Sequence, residues 1–131
     1  MSSVEQVTSN NSFLQEVLPL LQEYGQTLET IREQVNALLE QIRKNLNCKP
    51  PLSIDQLDLD KSNLFLLRIY FFNLQGPAIE IAQHISQRIT HAELDWSSRV
   101  ELQLRLAAFE YLLHSTELMI DKVTEYINKN K

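Results

Sequence analysis

Leu14, Val17, Leu21, Tyr24, Leu28, Ile31, Val35, Leu38 and Ile42 follow one another at alternating steps of three and four residues. Steps that average 3.5 residues return each apolar side chain to one stripe of an α-helix, whereas a strand would alternate by two. The same rhythm recurs twice more. Leu64, Leu67, Phe71, Leu74, Ala78, Ile81 and Ile85 keep it through the middle of the chain. Leu102, Leu106, Phe109, Leu113, Thr116, Ile120, Val123 and Ile127 keep it near the end. Three such stripes predict an all-α fold, an antiparallel bundle of three long helices running up, down and up. Segments of about 30 residues correspond to helices of about 45 Å. The punctuation agrees, since two glycines and four prolines in 131 residues are too few for the turns of a β-sandwich or barrel.

The boundaries follow from capping and breaking residues. Residues 1–11 are polar and read as a flexible N-terminal tail, and 12–131 as a single helical-bundle domain opened by a Ser12 cap. Pro19 falls on the outer side of the first stripe, and Gly25 weakens that helix without ending it. Pro50-Pro51 cannot continue the helix. Ser53 and Gln56 have capping-box spacing for a short turn, and Asp58 or Asp60 is the expected cap of the second helix. Gly76-Pro77 raises the main topological question. The 3–4 phase carries across it unchanged, which favours one helix over about 60–91, kinked at the proline with Gly76 and Pro77 on the outer side. The alternative is a turn, with Gly76 ending one helix and Pro77 opening the next, which makes a four-helix bundle. Ser98 and Glu101 have capping-box spacing ahead of the last stripe, and Lys122, Lys129 and Lys131 suit the negative end of its dipole.

Charge narrows the choice of partners. Of 17 acidic and 12 basic side chains, residues 1–60 hold nine and four, so neither half offers the basic face that phosphate neutralisation requires. Direct nucleic-acid binding is not expected. Membrane insertion is not expected either, because no apolar run approaches the ~20 residues that span a bilayer, and the N-terminus lacks the pattern of a signal peptide. Cys48 is the single cysteine and can form no disulfide within the chain, which suits a reducing, cytoplasmic setting.

Candidate chemistry is sparse. Glu80 precedes His84 by four residues and Glu110 precedes His114 by four, so both pairs share a helix face and invite a metal reading. Di-iron bundles instead repeat Glu-x-x-His at a spacing of three and add two inward glutamates, and zinc sites have their own Cys/His spacings. Neither pattern occurs, and the two pairs are expected to be helix-stabilising ones. A phosphotransfer histidine would be followed by the Lys and Gly that give a phosphate charge and room; "HISQRI" and "HSTELM" have neither. Two isolated glycines cannot form a phosphate-cradling loop. An enzyme is not expected, nor a cofactor. A metal- or phosphate-handling helical enzyme using His84 or His114 stands as the alternative.

What exceeds background is apolar surface. Around the middle stripe, Phe65, Leu66, Ile69, Tyr70 and Phe72 lie off the seam, and in the last helix Leu104, Tyr111 and Leu118 form a second stripe at intervals of seven. A helix in a three-helix bundle needs to bury only one broad stripe. These eight residues are therefore the candidate partner-binding set, for a homo-oligomer seam or a helical partner, and aromatic residues are what the centre of an interface prefers. They could instead be covered by the chain itself, through Leu18, Leu20, Leu39 and Leu46 or the segment Leu52–Leu59. The expected function is a non-enzymatic protein–protein interaction module of the adaptor, assembly-factor or chaperone-like kind. A structural subunit of a larger assembly is a further alternative.

Overall fold

The computed structural model describes residues 2–47 and 54–129. Three helices make up the fold, α1 (Ser2–Asn47), α2 (Ile54–Ile89) and α3 (Trp96–Lys129), and each packs against the other two. Contacts at both ends fix their directions. Gln41 and Asn45 of α1 meet Asp60 at the start of α2, while Glu16 meets His84 and Arg88 near its end, so α1 and α2 are antiparallel. Arg99, at the start of α3, bonds the carbonyls that close α2, and Gln75 bonds Glu117 further along. The expected three-helix bundle is the fold.

α2 runs unbroken through Gly76-Pro77, which rules out the four-helix alternative. Both residues are exposed, on the side away from the core as the 3–4 phase requires. Pro19 likewise lies within α1 and on its exposed side. Several boundaries differ from the sequence expectation. α1 begins at Ser2, so Ser12 lies inside the helix and does not cap it. α2 begins at Ile54, so Asp58 and Asp60 are interior residues; Cys48, Pro50, Pro51 and Ser53 lie outside the described residues. The helices are also less evenly matched than expected, at 46, 36 and 34 residues.

The core is built from the three stripes. Every member of the α3 stripe is buried, Thr116 included, whose Oγ1 donates to the Leu112 carbonyl at 2.7 Å and so stays satisfied away from water. In α1, the stripe residues from Val17 to Ile42 are buried except Tyr24, which is half-buried; Phe13 is buried and Leu14 beside it only half-buried. Along α2 the buried residues are Asp60, Leu64, Phe71, Ala78, Ala82, Ile85 and Ile89. Leu67, Leu74 and Ile81 between them are half-buried, packed against the edge of the core. The α2 stripe is thus narrower than its composition implies.

Asp60 continues the buried line of α2 towards its N-terminal end. It is wholly buried, and its carboxylate accepts hydrogen bonds from Gln41 at 3.1 Å, Asn45 at 3.2 Å and Gln56 at 3.2 Å. Three amide donors replace the water that a carboxylate would otherwise demand, and two of them come from α1. This cluster fastens the α1–α2 pair at one end.

The α2–α3 connection fastens the other. Leu94 is buried, and the Arg99 guanidinium donates to the carbonyl of Ile89, which ends α2, at 3.0 Å and to that of Ala92 at 2.9 Å, which also accepts from the Leu94 N–H. Asp95 caps α3, with Oδ1 accepting from the Ser98 backbone N–H at 3.2 Å. Ser98 was the expected cap; it serves instead as the donor, one turn in. Hydrogen bonds from the Ser98 hydroxyl and backbone hold the Asp95 carboxyl below its ordinary range.

Two stability predictions follow from these fastenings. Asp60→Ala removes the common acceptor of three amides and should cost about 1–3 kcal/mol in urea unfolding, with Asp60→Asn falling between it and wild type. Because the folded-state pKa of Asp95 is depressed, its capping contribution is complete above the unfolded value of about 3.9 and disappears as pH falls through the lower folded value. The melting temperature of Asp95→Ala should therefore lie below wild type at neutral pH. The two should converge on acidification below about pH 4, as thermal scans across that range would show.

Candidate functional site

Each helix of a three-helix bundle has two neighbours, so about a third of its circumference faces water. On α2, between residues 59 and 79, much of that surface is apolar. Phe65 and Phe72 are each 60% exposed, Leu66 63%, Tyr70 55% and Ile69 42%. On α3, Leu104 and Tyr111 are each 67% exposed and Leu118 45%. All eight candidate residues are therefore outside the chain's own core. The leucines that could have covered them do not: Leu18, Leu39 and Leu46 are half-buried against α1's own side of the core, and Leu20 is half-buried too. Leu59, part of the segment thought able to fold over the face, is helical and 53% exposed itself.

The eight residues do not form one patch. Phe65, Ile69 and Phe72 are exposed and lie roughly 100–160° around α2 from the buried line of Leu64, Phe71 and Ala78. The Phe72 ring meets the buried Phe71 ring edge-on, with centroids 6.4 Å apart, which braces the exposed ring from below. Leu66 and Tyr70 are turned a quarter to a third of the way around towards α1. There they line an open groove of about 960 Å³ whose other wall carries Thr27, Thr30, Gln34 and Gln41. Tyr111 borders a separate groove between α1 and α3. The Gln75–Glu117 bond sets the level of the α3 stripe. Leu104 and Tyr111 precede Glu117, so they lie beside the second half of α2, away from Phe65 and Phe72.

Sequence reading missed three exposed apolar residues, Leu59, Ile79 and Trp96. Ile79 was within reach, since Phe65, Ile69, Phe72, Gly76 and Ile79 step by 4, 3, 4 and 3. That is a second 3–4 row on the far side of α2 from the first. Trp96, 79% exposed at the first position of α3, belongs to no periodic pattern.

The histidines are held apart. His84 turns to α1, where Nε2 lies 3.5 Å from Glu16 Oε1; Arg88 places Nη1 3.6 Å from the other oxygen and stacks on Phe13, 4.9 Å from the ring centre. Its partner is Glu16, across the interface, in place of the expected Glu80. These side chains are about half exposed, so their attraction is screened. His114 sits on another face, in the α2–α3 groove with Glu110 and Glu117. Among the described residues no three His, Cys, Asp or Glu side chains converge on a point that could hold a metal ion. Also among the described residues, no helix is long and apolar enough to cross a membrane. No family model, curated protein or solved structure matches the chain.

The geometry separates surface from core along one turn of α2. Phe65→Asp combined with Phe72→Asp should leave the helical circular-dichroism spectrum intact and shift monomer stability by about 1 kcal/mol at most, as exposed positions do. Phe71→Asp, one residue away but 2% exposed, should lose more than about 4 kcal/mol and unfold the domain.

Proposed function

We propose that the chain is a non-enzymatic protein–protein interaction module, of the adaptor, assembly-factor or chaperone-like kind, acting through the outward apolar faces of its helices, above all that of α2. The observation that carries this reading is the exposure of Phe65 and Phe72 at 60% each, on a helix whose opposite side supplies the core. Taking about 200 Å² for a whole aromatic side chain, Phe65, Tyr70 and Phe72 alone leave about 350 Å² of ring surface in water. Leu59, Leu66 and Ile69 widen the face towards the ~800 Å² that one partner contributes to a standard interface. Continuous apolar patches of this size on soluble domains commonly mark binding sites.

The partner that suits such a face is protein. A helix laid along the α2 ridge or into the α1–α2 groove would bury the rings, while Asn63 and Gln34 along the groove offer amides to its polar edge. The acidic balance of residues 1–60 argues against nucleic acid, and the lone Cys48 suits a reducing, cytoplasmic compartment.

The test is capture from the native cell lysate by the tagged chain, with the bound proteins quantified. A defined set retained by the wild-type chain and lost with Phe65→Asp/Phe72→Asp supports the reading. An unchanged set would remove the α2 face from it.

A further inference from the structure

We infer that the occupant of the outer face of α2 is α2 of a second copy, laid antiparallel, with Phe65 of each copy seated over Gly76 of the other. This inference rests on the interaction-module reading and specifies its partner. The outer row of Phe65, Ile69, Phe72, Gly76 and Ile79 keeps coiled-coil spacing over four steps. Its order of sizes is self-complementary in one direction only. Run antiparallel about a dyad between residues 70 and 71, the row places Phe65 against Gly76, Ile69 against Phe72, and Ser62 against Ile79, each contact occurring twice. Every layer then combines a large side chain with a smaller one. Run parallel, the row stacks Phe65 on Phe65 and Phe72 on Phe72 and leaves a Gly76–Gly76 layer empty, which forfeits packing on both sides of the gap.

The surface around Gly76 is free to receive a ring, because a Cβ built there meets nothing within 4 Å. The flanks allow the same pairing. In the antiparallel register Arg68 lies near Gln75 of the second copy and Leu66 near Asn73, so no two like charges are set opposite each other. The exposed parts of Phe65, Ile69, Phe72 and Ile79, with the flanking Leu59 and Leu66, approach the share that a standard dimer requires of each partner. Polar residues at both edges, Lys61, Asn73 and Gln75 among them, supply the rim such interfaces have.

The experiment joins oligomeric state to register, on the full chain. In sedimentation equilibrium across a dilution series the wild-type chain should be dimeric. Phe65→Ala should weaken the dimer roughly tenfold or more, with helicity unchanged, because a central aromatic contact is lost twice over. Register is read by cysteine trapping in a Cys48→Ser background under oxidised glutathione. Positions 62 and 79 are both exposed, and within one helix they are about 26 Å apart, so neither can reach its own counterpart in the antiparallel dimer. A disulfide-linked dimer should form when Ser62→Cys and Ile79→Cys chains are mixed, and with neither alone. Linkage of each variant to itself would show parallel pairing and overturn the proposal. So would a wild-type chain that is monomeric at every concentration, or a dimer indifferent to Phe65→Ala. A monomer whose lysate partners still depend on Phe65 and Phe72 would defeat self-pairing alone. A monomer without such partners would defeat the wider reading as well.

Discussion

A helix with two neighbours can bury only part of its circumference, and everything distinctive about this molecule follows from how α2 breaks that limit. Its buried line is narrow, running through Leu64, Phe71, Ala78, Ala82, Ile85 and Ile89, with Leu67, Leu74 and Ile81 only half covered. The rest of its apolar content has no place in the monomer. α1 and α3 keep most of theirs in the core. α2 carries two apolar rows on opposite sides, and the bundle supplies neighbours for only one.

The hydrophobic stripes do not hold the ends of the bundle in register, since a 3–4 row can slide by a heptad with little change in what touches what. Polar contacts specify the alignment. Asp60 can be solvated only where Gln41 and Asn45 reach it, which sets α1 against α2. Arg99 can satisfy the carbonyls of Ile89 and Ala92 only where α3 turns back immediately, which sets α2 against α3. A slip of seven residues would take both α1 amides from a buried carboxylate and leave it Gln56 alone, a larger penalty than a change in leucine packing. The selection of one register from several is the clearest role for these few buried polar groups.

The stripes, the count of three helices and the continuity of α2 were legible in the sequence because they depend on local periodicity, which has a fixed wavelength. The eight exposed candidates were legible for the same reason: residues off a 3–4 seam point away from it. What was not legible depended on pairing across the fold. Asp60 reads as a cap because aspartate ahead of an apolar run commonly is one. Two of its three amides lie 15 and 19 residues back, on another helix, where no local pattern reveals them. His84 was paired with Glu80 on its own helix, yet Glu16 of α1 is the group it meets. Ser98 lost the cap to Asp95, which stands three residues earlier and brings a charge as well as an oxygen to the helix N-terminus.

Gly76-Pro77 shows how local backbone chemistry and the outer face of α2 are joined. A proline inside a helix costs about 3 kcal/mol and a glycine about 1 kcal/mol relative to alanine, so the pair works against the helix it interrupts. The residue before a proline is also pushed out of the helical region by the clash of the proline ring with its Cβ, and glycine has none. Gly76 is thus the residue that best lets α2 continue into Pro77, and the helix does continue. The same missing side chain opens a gap in the outer row between Phe72 and Ile79, where the chain itself brings nothing near. Within the monomer that gap has no packing function. In the proposed antiparallel pair it is the seat of a phenylalanine ring, so that one residue would both preserve the helix and shape the surface for a second one.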